Sequence, residues 1–165
     1  MIYMRGNRRD FDNWGEEFGL NDWSWDLCLP YFKKLEDMRN EQKRGSGSYG
    51  IGGPIAVEDS RHNTEVINGF LEAGKLLGYP EIDQNNGNTK EGMARLQWTI
   101  SEGHRASSLE YISSRKQNLH IALNSQVLKI NFNGRKAESL EIMRGKRIFQ
   151  VKCSKEIILS AGVIG

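Results

Sequence analysis

Histidine and cysteine are the side chains of this sequence best suited to metal binding and nucleophilic chemistry. There are three histidines and two cysteines: His62, His104, His120, Cys28 and Cys153. No two of them have the His-x-x-x-His or Cys-x-x-Cys spacing that brings two ligands to one metal ion. The cysteines lie far apart, in stretches that indicate a helix and a strand, so no disulfide framework is indicated. We therefore expect no structural metal and two buried free thiols.

A glycine pattern in the first third of the chain could bind a phosphate group. Gly45, Gly47 and Gly50 form G-x-G-x-x-G, the pattern of a dinucleotide-binding turn. Such a turn follows a buried strand and opens a helix whose N-terminal amides face the pyrophosphate. Here a charged helical stretch precedes the glycines, and a predicted turn and strand over 51–57 follow them. We therefore interpret residues 39–50 as a loop at a boundary between parts of the fold.

The composition is that of a globular domain. The chain has 165 residues, of which 38% are hydrophobic and 27% are charged, and its formal net charge is +2. A charge so close to zero argues against electrostatic binding of nucleic acid or of an anionic membrane. No run approaches the roughly 18 apolar residues of a membrane span, and the first residues lack the apolar stretch of a signal peptide. The sequence does not indicate the cellular compartment of the protein.

Helical periodicity predicts the elements of the first half. Asp10 as an N-cap and Gly19 as a stop bound a predicted first helix. A second helix contains Pro30, which indicates either a kink or the start of a new helix. The aromatic side chains of these two helices indicate a small core rather than a ligand platform. Apolar residues at helical spacing over 64–77 predict the next long helix.

Alternating patterns predict strands in the second half. Leu96, Trp98 and Ile100 alternate with polar residues, which predicts a strand with its apolar face buried. Its polar face could either line a cavity or face water. Alternation over 119–123 and 128–132, followed by turn residues and further alternation, predicts a β-meander.

The end of the sequence predicts one more strand, of a different kind. Residues 156–162 are almost continuously apolar, as in a strand buried on both faces of a parallel sheet. A parallel strand requires neighbours and a crossover connection, and the sequence supplies neither. We therefore expect the sequence to be an excerpt from a larger fold.

Taken in order, these segments resemble the glucose-methanol-choline (GMC) flavin oxidoreductases, most closely the insect FAD-dependent glucose dehydrogenase-like members. The matching stretches are MIYMRGNRRDFDNW at 1–14, WSW at 23–25, LPYFKK at 29–34, GGP at 52–54, AGKLLGYP at 73–80, QWT at 97–99, GHRASS at 103–108, NLHI at 118–121 and EIILSAG at 156–162. The resemblance covers nearly the whole chain, and the ordered series is more specific than any single motif in it.

The resemblance implies an α+β chain taken from an α/β family fold. In that fold a Rossmann-like FAD domain, here partial, is interleaved in sequence with part of a substrate domain built on an antiparallel sheet. Residues 1–45 would belong to the flavin domain and its covering segment, and residues 48–103 to the substrate domain. Residues 104–165 would return to the flavin domain and contain the β-meander.

The resemblance also implies a function. Family members oxidise the CH–OH group of an alcohol or sugar by hydride transfer to FAD, and the electrons then pass to a separate acceptor. The implied partners are a small-molecule donor and an electron acceptor, without nucleic acid and without a membrane span. The alternative is a naturally truncated, non-catalytic paralogue that acts as a binding or partner module. We expect the isolated chain to be inactive.

Few site residues carry over from the family. The resemblance places the backbone of Val127 at the adenine end of FAD, although an ordinary sheet residue is the alternative there. It places the turn at Ala161 and Gly162 close to the same cofactor, and Ile2 near the isoalloxazine ring. The family's dinucleotide fingerprint and its catalytic histidine have no counterpart in this sequence, so no residue is predicted to be catalytic.

Overall fold

The structure, a computed structural model, describes residues 1–86, 91–112 and 117–164. The chain divides into two compact units, Met1–Arg115 and Lys116–Gly165. Its α-helices are α1 Arg8–Phe18, α2 Trp25–Leu35, α3 Glu41–Gly45 and α4 Glu65–Leu76, with 3₁₀ helices at Asn21–Trp23 and Ser108–Tyr111. Its strands are β1 Ile2–Tyr3, β2 Glu36–Met38, β3 Ile55–Asp59, β4 Gln97–Trp98, β5 Ile100–Ser101, β6 His104–Arg105, β7 Ser125–Asn133, β8 Lys136–Arg144 and β9 Arg147–Lys152.

Capping interactions set the bounds of α1. The Asn7 side chain accepts a hydrogen bond from the Arg9 backbone at 2.9 Å, and the Asn7 backbone donates to the Asp10 carboxylate at 3.4 Å. This is a capping box, so the N-cap is Asn7 and the prediction of Asp10 was wrong by one turn. Gly19 ends the helix in the left-handed region with φ 68°, as predicted.

The other helices begin and end close to their predicted positions. In α2, Pro30 lies inside one continuous helix, so the predicted alternative of a new helix start was wrong. In α4, the Thr64 hydroxyl accepts from the Ile67 backbone at 3.3 Å and provides the N-cap. None of the helices within the described residues has the length and apolar character needed to cross a lipid bilayer.

A four-stranded sheet organises the first unit. Its strand order is β1-β4-β3-β2, with β4 antiparallel to both β1 and β3, and β2 parallel to β3. The core beside it consists of Tyr3, Met38, Tyr49, Ile55, Ala56, Val57 and Ala106, with Leu35 packed against it. The sheet therefore joins the first residues of the chain to segments that lie far away in sequence.

In the strand predicted around Trp98, the buried side chain belongs to the polar face and not to the apolar face. Gln97 is only 1% exposed, whereas Leu96 is 37% exposed. The strand is also short, since the pairing is interrupted between β4 and β5. The prediction of a buried apolar face was wrong because Gln97 finds buried hydrogen-bond partners, which offset the cost of removing its amide from water.

The second unit contains the predicted β-meander. Strands β7, β8 and β9 form an antiparallel sheet in that order, and Gly134 and Gly145 form the two turns with φ of 59° and 61°. Both turns need the left-handed conformation that glycine adopts without strain. This part of the sequence prediction is confirmed.

Two further predicted strands are missing from the second unit. Residues 119–123 and 154–164 have no strand pairing in the structure. Ile158 and Leu159, predicted to be buried on both faces, are 78% and 71% exposed. An apolar run becomes a strand only where neighbouring strands complete its hydrogen bonds, and none is paired with these residues in the described part of the unit.

Candidate functional site

The first five residues have a polar inner face and an apolar outer face. Tyr3 and Arg5 are 7% and 3% exposed, whereas Ile2 and Met4 are 50% and 59% exposed. Adjacent side chains of an extended segment point to opposite faces, which explains the alternation. The residue that the family resemblance places near the flavin, Ile2, thus lies on the exposed face.

Glu36, at the start of β2, contacts the polar inner face of residues 1–5 through its carboxylate. It accepts hydrogen bonds from the Tyr3 hydroxyl at 2.6 Å and from the Gly50 backbone at 2.8 Å. It also forms an ion pair with the Arg5 guanidinium, and both charged side chains are completely buried. A buried carboxylate requires such partners, because an unpaired charge in the interior is strongly destabilising.

The Asn85 side chain holds the same segment through its backbone. Its Oδ1 accepts from the Arg5 N–H at 2.8 Å, and its Nδ2 donates to the Tyr3 carbonyl at 3.1 Å. The amide of Asn85 thus offers one donor and one acceptor to the segment, as a neighbouring strand would. Its Nδ2 also donates to Gln97 Oε1 at 2.7 Å, which links these buried side chains to β4.

Tyr49 extends this buried cluster towards Asp83. The Tyr49 hydroxyl donates to Asp83 Oδ1 at 2.5 Å and accepts from Gln97 Nε2 at 2.9 Å. The Arg5 guanidinium lies over the Tyr49 ring, 4.7 Å from its centroid, in a cation–π contact. These side chains, Tyr3, Arg5, Glu36, Tyr49, Asn85 and Gln97, are called the polar cluster below.

The pKa values of three side chains of the cluster, Tyr3, Arg5 and Tyr49, are raised. Burial raises the pKa of Tyr49, and the bond to Asp83 raises it further. Burial likewise raises the pKa of Tyr3, together with the hydrogen bond to Glu36. For Arg5, burial lowers the pKa, but the hydrogen bond and charge of Glu36 outweigh it and the net direction is upward. The two tyrosines and Arg5 therefore keep their protons near neutral pH.

The polar cluster was missed by sequence reasoning. Glu36 lies 31 residues from Arg5 along the chain, and Asn85 lies 80 residues from it. No local pattern connects positions so far apart. The one available signal was the Tyr-x-Arg spacing at residues 3 and 5, which places both side chains on one face of an extended segment.

The predicted cofactor contacts lie in different units. Ile2 belongs to the first unit, and Val127, Ala161 and Gly162 belong to the second. Val127 lies on β7 opposite Ile142, beside a register shift that falls between Val127 and Lys129. Ala161 and Gly162 lie outside the β7–β9 sheet.

The backbone at these positions fits a contact with a flat cofactor such as FAD. In the described part of its sheet, β7 is an edge strand, so one side of its backbone has no partner strand. The Val127 side chain is half exposed at 50%. Gly162 has φ 87° and no atom within 4 Å of where a Cβ would lie. Both positions therefore leave room for a ligand at the main chain.

In the part of the chain that the structure describes, the histidines and the acidic groups do not come together as a metal site. His62, His104 and His120 are all exposed. No group of three or more histidine, cysteine, aspartate or glutamate side chains is arranged to hold a metal ion among residues 1–86, 91–112 and 117–164. The two cysteines are free and only half-buried, so the prediction of buried thiols was wrong.

Among the G-x-G-x-x-G glycines, Gly50 has a packing role, whereas a Cβ at Gly45 or Gly47 would meet no atom within 4 Å. Gly45 is the last residue of α3, so the interpretation of residues 39–50 as a loop was wrong for the helical residues 41–45, whereas Gly47 and Gly50 lie in the connection between α3 and β3. A Cβ at Gly50 would overlap the Lys33 carbonyl at the end of α2, and a Cβ at Gly53 would lie 2.5 Å from the Leu35 carbonyl. The loop thus crosses the end of α2 at backbone contact distance, which only glycine permits here.

The aromatic residues of α1 and α2 form both a core and an open groove. Trp25 is 2% exposed and makes an edge contact with Phe11 at 5.5 Å between ring centroids. Trp23 and Tyr31 are 55% and 70% exposed, so the interpretation as core does not extend to them. They border an apolar groove of about 500 Å³ with Phe11, Asp22, Leu27, Cys28, Phe32 and Leu35.

The comparison with known sequences gives one family. The sequence profile described as GMC oxidoreductase matches residues 1–165. An oxygen-dependent choline dehydrogenase from Pectobacterium carotovorum subsp. carotovorum (strain PC1) is 38% identical over 170 residues, covering 99% of this chain and 30% of that enzyme. One from Proteus mirabilis (strain HI4320) is 38% identical over 173 residues, with the same coverage. The chain thus spans about 30% of the length of these curated relatives.

Solved structures of similar fold agree with this result. Pyridoxine 4-oxidase from Mesorbium loti has a TM-score of 0.79 and 29% identity, covering 92% of this chain and 30% of that chain. An FAD-dependent oxidoreductase from Chaetomium thermophilum has a TM-score of 0.81 and 27% identity, covering 98% of this chain and 30% of that chain. A formate oxidase shares the fold with a TM-score of 0.86 at 24% identity, covering 98% of this chain and 29% of that chain. The predicted mixed α and β fold is confirmed.

Proposed function

Because this chain belongs to the GMC oxidoreductase family, we propose that it is part of an FAD-dependent oxidoreductase that acts on the CH–OH group of an alcohol or sugar. The observation that carries the proposal is the match of the family profile to all 165 residues. Relatives named choline dehydrogenase and pyridoxine 4-oxidase support an alcohol donor, since choline and pyridoxine are both alcohols. The partners would be this donor and an electron acceptor.

Members of this family bind FAD, and we propose that four positions of this chain contact it. Val127 would meet the adenine end through its backbone, and the turn at Ala161 and Gly162 would pass close to the cofactor. Ile2 would lie near the isoalloxazine ring. The open edge of β7, the positive φ of Gly162 and the exposed side chain of Ile2 support these contacts.

The chemistry and the protein's contribution are separate. When bound, FAD supplies the redox step by taking up a hydride equivalent from the alcohol carbon of the donor. The residues of this chain would bind FAD and orient it. His62, His104 and His120 do not lie in a segment that resembles the family's catalytic histidine motif, so we assign no catalytic residue to the chain.

The proposed domain organisation follows the family resemblance. Residues 1–45 and 104–165 would contribute to the flavin domain, and residues 48–103 to the substrate domain. The four-stranded sheet contains β1 and β2 from the first stretch and β3 and β4 from the substrate stretch. Under this proposal the sheet is the place where the two domains meet.

The FAD-dependent function is tested on the native polypeptide that carries this sequence. It would be isolated from its source with an antibody against α4, and its intact mass would be measured together with any flavin released by acid. We expect FAD and a mass well above the 18.8 kDa of this chain. A purified polypeptide of that larger mass without flavin would contradict the proposal.

Donor specificity is a finer proposal. The motif series most resembles the insect glucose dehydrogenase-like members, so we propose a sugar such as glucose as the donor. The matched curated relatives named above are choline dehydrogenases, which makes choline the competing donor. Turnover of each donor with an artificial acceptor distinguishes them, and a higher kcat/KM with choline than with glucose would overturn the sugar assignment.

The second candidate is a naturally truncated, non-catalytic paralogue. The observation that favours it is the set of large apolar side chains exposed in the second unit, which a partner could cover. A native mass equal to that of this chain, without turnover of any donor, is the result expected for this candidate. We favour the oxidoreductase because the family match extends over the whole sequence.

A further inference from the structure

The geometry points to Glu36 as a positioning residue for the flavin: its carboxylate clamps the inner face of residues 1–5 so that the outer face, with Ile2, is presented to the isoalloxazine ring. This inference rests on the proposed function. It assigns a role to a residue that lies at the start of β2, away from the proposed contact residues.

The contacts of Glu36 identify the clamp. The carboxylate receives the Tyr3 hydroxyl at 2.6 Å, the Arg5 guanidinium and the Gly50 N–H at 2.8 Å. Two of these three donors come from the segment that carries Ile2. The Glu36 side chain is completely buried, so it reaches the flavin only through the residues it holds.

The rest of the polar cluster leaves the segment little freedom. The Asn85 amide accepts from the Arg5 N–H and donates to the Tyr3 carbonyl. Strand β4 pairs with Ile2 and Tyr3 through Trp98 and Gln97. Backbone and side chains are thus both fixed, and residues held in this way can set the position of a ligand to within a fraction of an ångström.

The outer face of residues 1–5 is the face that these contacts leave exposed. Ile2 and Met4 are 50% and 59% exposed, although both are large and apolar. An apolar strip backed by a fully buried ion pair suits a surface that covers a flat aromatic ring. Releasing Glu36 would let the segment shift or rotate, which would change the contact between Ile2 and the flavin.

The test uses the FAD-loaded native polypeptide with Glu36→Gln, which keeps the shape and removes the charge. Because Arg5 would then be buried without its counter-ion, a second variant combines Glu36→Gln with Arg5→Met to remove both charges. Leu71→Ala is the matched control, since Leu71 is 3% exposed on α4, is not a member of the polar cluster, and its truncation destabilises the unit.

We expect FAD to dissociate at least about tenfold faster from both Glu36 variants, and less than about threefold faster from Leu71→Ala. The visible circular dichroism of the bound flavin should change in the Glu36 variants alone. Amide hydrogen exchange of residues 2–5, measured on the same proteins, should accelerate in the Glu36 variants and not in the control.

Three outcomes would count against the inference. If Leu71→Ala changed FAD dissociation and the flavin spectrum as much as Glu36→Gln did, the role of Glu36 would be structural. If the double variant regained the wild-type spectrum and dissociation rate, the clamp would be unnecessary. If the unmodified polypeptide held no FAD, the proposed function would fail and this inference with it.

Discussion

At the scale of single residues, the chain shows how strongly a buried position constrains residue type. Glu36 and Arg5 are fully buried side chains that form an ion pair, and Tyr3 and Tyr49 are buried hydroxyls bonded to carboxylates. Gly50 lies where any side chain would overlap Lys33. None of these constraints depends on a bound cofactor, so each can be tested by the stability of the native polypeptide that carries this sequence.

The G-x-G-x-x-G pattern allows a direct comparison between a closely packed glycine and an open one. Gly50→Ala should lower the free energy of unfolding by more than about 2 kcal/mol, because the new Cβ would displace the end of α2. Gly45→Ala is the matched control from the same pattern, since a Cβ there has nothing within 4 Å. It should be neutral or slightly stabilising. Urea denaturation measures both, and equal effects would contradict the packing role.

The buried tyrosines predict sensitivity to alkali. Their pKa values are raised in the folded protein, whereas tyrosine in the unfolded chain ionises near about pH 10. Above about pH 10 the folded state therefore binds more protons than the unfolded state, so stability falls as pH rises. Each of Tyr3 and Tyr49 contributes a slope of at most about 1.4 kcal/mol per pH unit.

Phenylalanine variants isolate this contribution. Tyr3→Phe and Tyr49→Phe should each reduce the loss of unfolding free energy between about pH 10 and 12. Tyr31→Phe, at a tyrosine that is 70% exposed, is the matched control and should keep the wild-type slope. The slope is measured from denaturant unfolding at a series of pH values. An unchanged slope in both buried-site variants would refute the assignment.

At the scale of elements, local signals specify where the helices begin and end. The capping box of α1 lies wholly within residues 7–10, and Gly19 ends the helix. Because the cap satisfies backbone N–H groups that have no partner within the helix, its loss should be measurable. The strands of the first unit differ, since their pairing joins residues that are distant along the chain.

The cap of α1 can be tested with one substitution. Asn7→Ala should lower the free energy of unfolding by about 1 kcal/mol, because the N–H of Arg9 loses its acceptor. Glu17→Ala, at an exposed position in the same helix, should change it by less than about 0.5 kcal/mol. Thermal unfolding followed by circular dichroism gives both values. A cap variant as stable as the wild type would show that the capping box contributes nothing.

At the scale of the whole molecule, the second unit exposes an unusual amount of apolar surface. Ile158 and Leu159 are 78% and 71% exposed, and Val163 and Ile164 are almost fully exposed. Exposed apolar patches of this kind mark interaction surfaces or sites of aggregation. The open edge of β7 adds unpaired backbone groups to the same unit.

We therefore expect the isolated 165-residue chain to self-associate. Sedimentation should show larger species as concentration rises, and the double substitution Ile158→Ser and Leu159→Ser should reduce them. Lys155→Ser, at an exposed polar position nearby, is the control and should leave association unchanged. A monodisperse wild-type monomer with a cooperative thermal transition would contradict this prediction.

The sequence by itself determined the features that depend on neighbouring residues. The helices over 8–18 and 65–76, the glycine turns of the β-meander and the family were all predicted, because caps, turns and motif order are local. The same locality explains the failures. The apolar run at 156–162 has strand character, but a strand exists only where a partner strand completes its hydrogen bonds.

Only the tertiary structure decided which polar groups are buried. Gln97 was predicted to be on the polar face of its strand, yet it is 1% exposed because Asn85 and Tyr49 are there to bond it. Glu36 is buried because Arg5 and Tyr3 arrive from the start of the chain. The free energy of a buried polar group is set by its partners, and partners brought together across 31 to 80 residues leave no local pattern.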